Sequence, residues 1–350
     1  MLSVGLVGLP NAGKSTLFNL LTKRSVPAEN FPFCTIDPNT GIVEVPDDRV
    51  HKLGRMFGSE KLIHAAIEFK DIAGLVKNAS SGAGLGNQFL SHIRETDMIL
   101  LVLRAFEHPD IIHVENRVNP QEDMDILLLE LILSDAKQAE KQLENLQKEV
   151  KKGTDKFAGQ KMEILEQIMQ AFEENKMAST VEMDPDAEPE MHKWRKSLNL
   201  LTDKPMLTIA NVIDGGTNQN FSADVSIDIL QETELSGMSM EERIEFTGNA
   251  ETGLDLLIVT CYDKLGLGTY LTAGPKESRA WTFKRGTKAP QAAAVIHSDF
   301  EARFIRGEVV KFEDLVAAGG LKQAKDQGKV QLIGKEYVVQ DGDVCEWILK

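Results

Sequence analysis

The sequence predicts an α/β protein built on a parallel sheet, and three observations carry that expectation. Short apolar runs alternate with helix-period segments over residues 1–122. The first run, residues 2–7, leads directly into Gly8-Leu9-Pro10-Asn11-Ala12-Gly13-Lys14-Ser15-Thr16, which fits G-x-x-x-x-G-K-[ST], the phosphate-binding loop. Sheet character returns at residues 205–211 after a long helical stretch, so that stretch reads as an insertion within one sheet domain.

In chain order, residues 2–7 have the continuous apolar character of a buried parallel strand, and residues 16–21 form a helix with Leu17, Leu20 and Leu21 on one side. A strand, a glycine loop and a helix start aim several backbone N–H groups at one anion, at the positive end of a helix dipole. Lys14 then reaches the β- and γ-phosphates and the Ser15 hydroxyl holds Mg²⁺. Residues 31–38 are a loop by their prolines. Residues 41–45 read as a strand, and Val50, Leu53 and Met56 mark a short helix. Residues 66–72 are the next strand and run into Asp71-Ile72-Ala73-Gly74. A glycine-rich loop, residues 81–86, precedes a helix with Phe89, Leu90 and Ile93 inward; residues 98–103 are a continuous apolar strand.

The pattern changes near Asp123. Ile132, Ala136, Ala139, Leu143, Leu146 and Val150 form a heptad seam, residues 151–155 a turn, and Met162, Leu165, Met169 and Phe172 repeat the seam. Two such helices make an antiparallel coiled-coil hairpin. Residues 183–190 read as a loop, and a helix over 253–265 closes the sheet domain. From Leu267 short apolar segments (270–271, 292–296, 309–310, 331–333, 337–339) alternate with glycines and charges, the texture of a small β-rich α+β domain. The expected organisation is therefore a nucleotide-binding domain of residues 1–122 and 203–266, an inserted helical hairpin of 123–202 and a C-terminal domain of 267–350.

Composition narrows the class. The 350 residues exceed one ordinary domain, and 42% apolar content is enough for real cores. No run approaches the ~20 apolar residues of a membrane span, and Met1-Leu2-Ser3 leads into a strand without a signal peptide. Cys34, Cys261 and Cys345 lie far apart in no metal-ligand spacing, which suits free thiols in a reducing cytoplasm. The net charge of −15 argues against wholesale polyanion binding, DNA included. Two local stretches are cationic: residues 276–311 carry eight Lys or Arg against four acids, and residues 137–161 carry seven Lys against four acids.

Four elements stand in the order a nucleotide switch uses. The phosphate loop comes first. Thr35 follows on the next loop, where a hydroxyl completes Mg²⁺ coordination when a γ-phosphate is present. Asp71 and Gly74 come third: the carboxylate acts on Mg²⁺ through water and the Gly74 N–H bonds the γ-phosphate. The fourth is Asn211-Val212-Ile213-Asp214, where the base is read. It departs from the guanine-specific N-K-x-D, because Val212 replaces the Lys; Asp214 can accept from guanine N1–H and N2–H₂, and the residues alone leave the base open. Leu75 stands where many GTPases carry a water-orienting Gln, so intrinsic hydrolysis is expected to be slow or to draw its polar group from elsewhere; His113 is a candidate.

These residues resemble the Obg-like ATPase (YchF) family of P-loop proteins over nearly the whole chain. The resemblance rests on the phosphate loop, on Asn30-Phe31-Pro32-Phe33-Cys34-Thr35-Ile36-Asp37-Pro38-Asn39, on Asp71-Ile72-Ala73-Gly74-Leu75-Val76 and on Gly84-Leu85-Gly86-Asn87-Gln88-Phe89-Leu90. Its most specific pieces are C-terminal: Tyr270-Leu271-Thr272-Ala273-Gly274-Pro275-Lys276-Glu277, Arg279-Ala280-Trp281-Thr282, Ala289-Pro290-Gln291-Ala292-Ala293 and Asp341-Gly342-Asp343. The resemblance implies a P-loop GTPase-like domain, a helical arm and a terminal ubiquitin-like TGS domain. It implies slow Mg²⁺-dependent hydrolysis of ATP in preference to GTP, and binding of a monomer to the ribosome through its large subunit. Carried over by motif, Asn11, Ala12, Gly13, Lys14, Ser15 and Thr16 hold the phosphates. Ser15 and Thr35 hold Mg²⁺, Asn211 and the Val212 backbone contact adenine, and Ser226 stands beside the base. The family's N-x-x-E is here Asn211 to Asp214, and its K-G-A-S is here Lys77-Asn78-Ala79-Ser80. The shorter acid keeps a GTPase of the same architecture as a second reading. Leu75 keeps a third, a ribosome- or RNA-binding scaffold that nucleotide merely stabilises.

Overall fold

A computed structural model describes residues 1–25, 39–72, 85–108, 117–152, 155–213 and 221–350. The first elements are β1 (Ser3–Val7), α1 (Lys14–Lys23), β2 (Thr40–Glu44), α2 (Asp48–Phe57), β3 (Lys61–Ile63), β4 (Ala66–Asp71), α3 (Leu85–Arg94) and β5 (Met98–Arg104). Two long helices follow, α4 (Pro120–Lys152) and α5 (Ala158–Glu173), then α6 (Pro189–Ser197). The chain re-enters the sheet at β6 (Met206–Asn211) and β7 (Val225–Ile227), followed by α7 (Ile229–Leu235), α8 (Met240–Thr247) and α9 (Gly253–Lys264). The last part is β8 (Leu267–Ala273), β9 (Glu277–Lys284), α10 (Ala289–Ala294), α11 (Asp299–Arg303), β10 (Phe304–Lys311), α12 (Phe312–Ala318), α13 (Leu321–Asp326), β11 (Gln331–Ile333) and β12 (Asp343–Leu349).

The first sheet has the order β2-β4-β1-β5-β6-β7. Its strands are parallel except β2, which runs antiparallel to β4; an otherwise parallel sheet accepts a reversed strand at its edge. All five residues of β1 and all seven of β5 are buried, as continuous apolar strands covered on both faces require. β1 lies between β4 and β5, so the chain leaves it in one direction and returns on its other side. That is the topological switch point, where the carboxyl ends of the strands open a crevice for ligands.

The helical insertion sits between β5 and β6, which pair in parallel from Ile99↔Met206 to Arg104↔Asn211. Ile132, Ala139, Leu146, Leu165, Ile168 and Phe172 form its core, with Ala136, Leu143 and Met169 partly buried against them. The seam residues other than Met162 and Val150 thus pack together as their spacing predicts. Val150 is 42% exposed, in the last turn of α4 beside the connection to α5. The N-terminal half of α4 packs on the sheet instead, with Leu127 and Leu131 against Leu101 and Leu103.

The second sheet has the order β11-β10-β12-β8-β9-β3. Its last strand comes from the other end of the chain: β3 pairs in parallel with β9, Lys61↔Glu277 to Ile63↔Arg279. The joint is reinforced beside it. Glu60 N–H donates to the Pro275 carbonyl at 3.0 Å, and Ser59 Oγ to the Gly274 carbonyl at 2.7 Å. Arg49 on α2 bridges Asp47 (2.8 Å) and Asp341 (2.7 Å). One apolar core runs through the joint, from Val50 and Leu53 to Leu271, Ala280 and Leu315. Residues 292–294 belong to α10, whose alanines pack as a helix beneath Tyr270, and residues 337–339 contribute one isolated bridge, Lys288↔Val338, rather than a strand.

Candidate phosphate-binding site

The loop between β1 and α1 is held open from behind. Asn11 has φ 63° and Gly13 φ 100°, so two nearby peptides take the left-handed conformation and turn their amides to one side. A Cβ on Gly13 would lie 2.5 Å from Asn211 Nδ2, and one on Gly8 would strike the Val102 carbonyl. Glycine is required at both places by close approach, not by habit. Asn11, Ser15 and Thr16 are exposed at the loop mouth; Ala12 and Lys14 are buried.

Lys14 lies along the loop, and its Nζ donates to the Leu9 carbonyl at 2.8 Å. Burial lowers its pKa to about 8, partly offset by the attraction of Asp71. Asp71 closes β4 opposite Leu6 of β1. Burial raises its pKa, while Lys14 and a hydrogen bond from the Ser15 hydroxyl pull the other way. Its backbone N–H donates to the Asn39 carbonyl at 3.0 Å, tying the start of β2 to the end of β4. The structure therefore brings Lys14, Ser15 and Asp71 together: an ammonium, a hydroxyl and a carboxylate at one loop. The hydroxyl and carboxylate are hard oxygen donors of the kind Mg²⁺ takes, and the exposed Ser15 side leaves room for its waters.

Asn211, at the end of β6, is 5% exposed and works as a strut. Its Nδ2 donates to the Ala12 carbonyl at 3.0 Å, and its Oδ1 accepts from Ile229 N–H at 3.5 Å. The base-reading strand is thereby fastened to the phosphate loop and to the start of α7. The Val212 N–H donates to the Ile227 carbonyl at 2.9 Å, so that amide is committed to β7. Ser226 projects outward from β7 between buried Val225 and Ile227, level with Ala210. Thr35, Gly74, His113 and Asp214 lie outside the described residues, as do Cys34 and Leu75. Sequence reading missed the strut; an Asn ending an apolar strand was its only signal.

Comparison with known proteins extends this geometry. The chain is 49% identical to the ribosome-binding ATPase YchF of Bacillus subtilis strain 168, over 99% of this chain and 98% of that protein. It is 42% identical to the protein of the same name from Escherichia coli O157:H7, over 98% of each. The solved structure of the Schizosaccharomyces pombe YchF GTPase matches with a TM-score of 0.84 at 36% identity, covering 99% of this chain and 97% of that one. A family profile described as a 50S ribosome-binding GTPase matches residues 3–164. A profile for the C-terminal part of YchF GTPases, described as a protein of unknown function, matches residues 267–349.

Proposed function

This chain belongs to the YchF family, and from that premise we propose that it is a cytoplasmic, ribosome-associated switch that binds ATP with Mg²⁺ and hydrolyses it slowly. The observation that carries the reading is the meeting of Lys14, Ser15 and Asp71 at an open glycine loop that Asn211 braces. The relatives' names supply the ATP and the ribosome. The large subunit comes from the description of the profile over residues 3–164. The division into residues 1–122 with 203–266, 123–202 and 267–350 belongs to this proposal, with β3 lent to the C-terminal part.

In this mechanism the backbone amides from Asn11 to Thr16 grip the phosphates. Lys14 presents its ammonium from a buried position, where low polarisability strengthens its pull on the β- and γ-oxygens. Ser15 and Thr35 would hold Mg²⁺, with Asp71 acting through water. The ion, when bound, supplies positive charge against the charge that develops on the transferred phosphoryl group. Gly74 would contact the γ-phosphate, so the segments around Thr35 and Gly74 report its presence. His113 is the proposed orienter of the attacking water, because the alkyl side chain of Leu75 offers no hydrogen bond. Asn211, Val212, Asp214 and Ser226 form the base end, and the cationic stretches 137–161 and 276–311 meet ribosomal phosphates.

The test is equilibrium binding of labelled ATP and GTP with Mg²⁺, with Lys14→Ala as the blank, followed by pelleting with large ribosomal subunits in the ATP and ADP states. Tighter ATP binding and a state-dependent pellet are expected; equal partner affinity in the two states would reject the switch. Asp214 favours the second reading, a GTPase, because its carboxylate suits guanine's two donors. GTP binding that reverts to ATP preference in Asp214→Glu would establish that reading instead.

A further inference from the structure

Strand β12 is unevenly partnered. On one flank it pairs with β10 along its length, from Lys311↔Asp343 to Phe304↔Leu349. On the other flank β8 joins it at a single register position, Val344↔Leu271, and ends at Ala273. Among the described residues, 345–349 have no paired strand position on that flank. A cleft of about 470 Å³ opens there, between residues 272–275 at the end of β8 and residues 345–347 of β12. Unpaired strand edges are a liability that folds ordinarily cover or guard.

The cleft has two unlike walls. On one face of the sheet Ile296, Phe300 and Trp347 are apolar and only partly buried. On the other face Leu321 and Val330 stand beside two carboxylates. Glu308 of β10 and Glu346 of β12 are directly opposite each other, a like-charge pairing that destabilises a sheet. Lys325 closes on Glu308 at 2.6 Å. Glu346 is exposed and has no ion pair of its own among the described residues. The cleft thus carries one carboxylate more than its lysine balances.

We propose that this cleft docks an extended segment of a partner protein, which pairs with the free flank of β12 and alternates apolar side chains with Lys or Arg. A strand added to a sheet edge gains affinity from main-chain hydrogen bonds and specificity from the pockets that receive alternate side chains. Cys345 and Trp347 belong to the apolar wall and Glu346 to the acidic one, so successive residues of an added strand meet the two walls in turn. The free flank, residues 345–349, spans about 17 Å at about 3.3 Å per residue. The surplus negative charge that attracts such a segment repels phosphate, so the occupant is protein and not RNA. Phe57 of α2 also lines the cleft, which places the docked segment against the joint between the two sheets.

The experiment is fluorescence anisotropy of the full chain with a labelled acetyl-(Val-Lys)₃-amide peptide. The control probes are (Val-Glu)₃, hexalysine, and (Val-Lys)₃ N-methylated at every peptide bond. Saturable binding of (Val-Lys)₃ is expected, at least about tenfold tighter than any control. Glu346→Lys should weaken it at least about tenfold with an unchanged thermal melt, because that side chain is exposed. Glu251→Lys makes the same change in net charge at an exposed position outside the cleft and should leave binding unchanged. Absence of saturable binding, an equal loss in Glu251→Lys, or hexalysine or N-methylated peptide binding as tightly overturns the proposal. Binding of labelled hexauridylate that Glu346→Lys changes and Glu251→Lys does not would assign the cleft to RNA and overturn it as well.

Discussion

Nucleotide affinity should fall with pH through the titration of Lys14. In the nucleotide-free chain the Lys14 pKa is about 8, because burial penalises its charge more than Asp71 favours it. The bound phosphates need the ammonium, so affinity scales with the fraction protonated. That fraction is about 90% at pH 7 and about 10% at pH 9 for a group of pKa about 8. Binding of labelled ADP with Mg²⁺ should therefore weaken about tenfold between pH 7 and 9, with a slope approaching one decade per pH unit above pH 8. Lys14→Met should bind weakly with no slope. Stability of the free chain should respond with the opposite sign. The folded pKa lies below the unfolded value of 10.5, so the unfolded chain binds more protons between pH 8 and 10.5, and unfolding free energy rises across that window. Relative to Lys14→Met, urea melts should show a penalty of about 3 kcal/mol below pH 8 that fades by pH 10.5. A flat wild-type binding profile, or an equal slope in Lys14→Met, would refute the reasoning.

Gly13→Ala should abolish nucleotide binding and lower stability by about 1–2 kcal/mol, because an alanine at φ 100° is strained and its Cβ displaces Asn211; a melt and one ATP titration check both. Arg49→Ala removes a side chain shared by Asp47 and Asp341 across the joint between the sheets, and should cost about 1–2 kcal/mol in urea denaturation, two partly exposed pairs lying near the upper end for such contacts. Leu165→Ala opens a cavity in the core of the helical arm and should cost about 2–4 kcal/mol. Its Mg²⁺-ATP affinity should stay at the wild-type value, since the arm is far along the chain from the loop; a weakened affinity measured by the same titration would show that arm packing reaches the site.

The parts of the molecule that were legible in the sequence are those whose chemistry is local. The phosphate loop has its own glycine spacing. β1 and β5 are continuous apolar runs, and the arm's seam repeats every seven residues. What stayed hidden depends on partners far away. β3 is Lys-Leu-Ile with Lys61 and Leu62 exposed, a segment with neither alternation nor length; only β9 makes it a strand. The alanines of α10 read as one more apolar segment because small residues fit a strand or a packed helix equally well, and Tyr270 decides between them. At the site, Lys14, Ser15 and Asp71 could be placed from spacing. The fastening of Asn211 to Ala12 could not, since it joins residues 199 positions apart.

That lent strand also orders events at birth. Lys61 precedes its partner Glu277 by 216 positions, so at about 5–20 residues per second the nascent chain carries an unpaired edge for about 10–40 s before β9 emerges. During that interval the N-terminal sheet can close on its own parallel pairs, while Lys61 puts a charge on the waiting edge, a common guard against wrong pairing. Completion of the second sheet is then the last topological step, and truncation between residues 266 and 277 leaves a protein with an intact phosphate loop and a sticky flank.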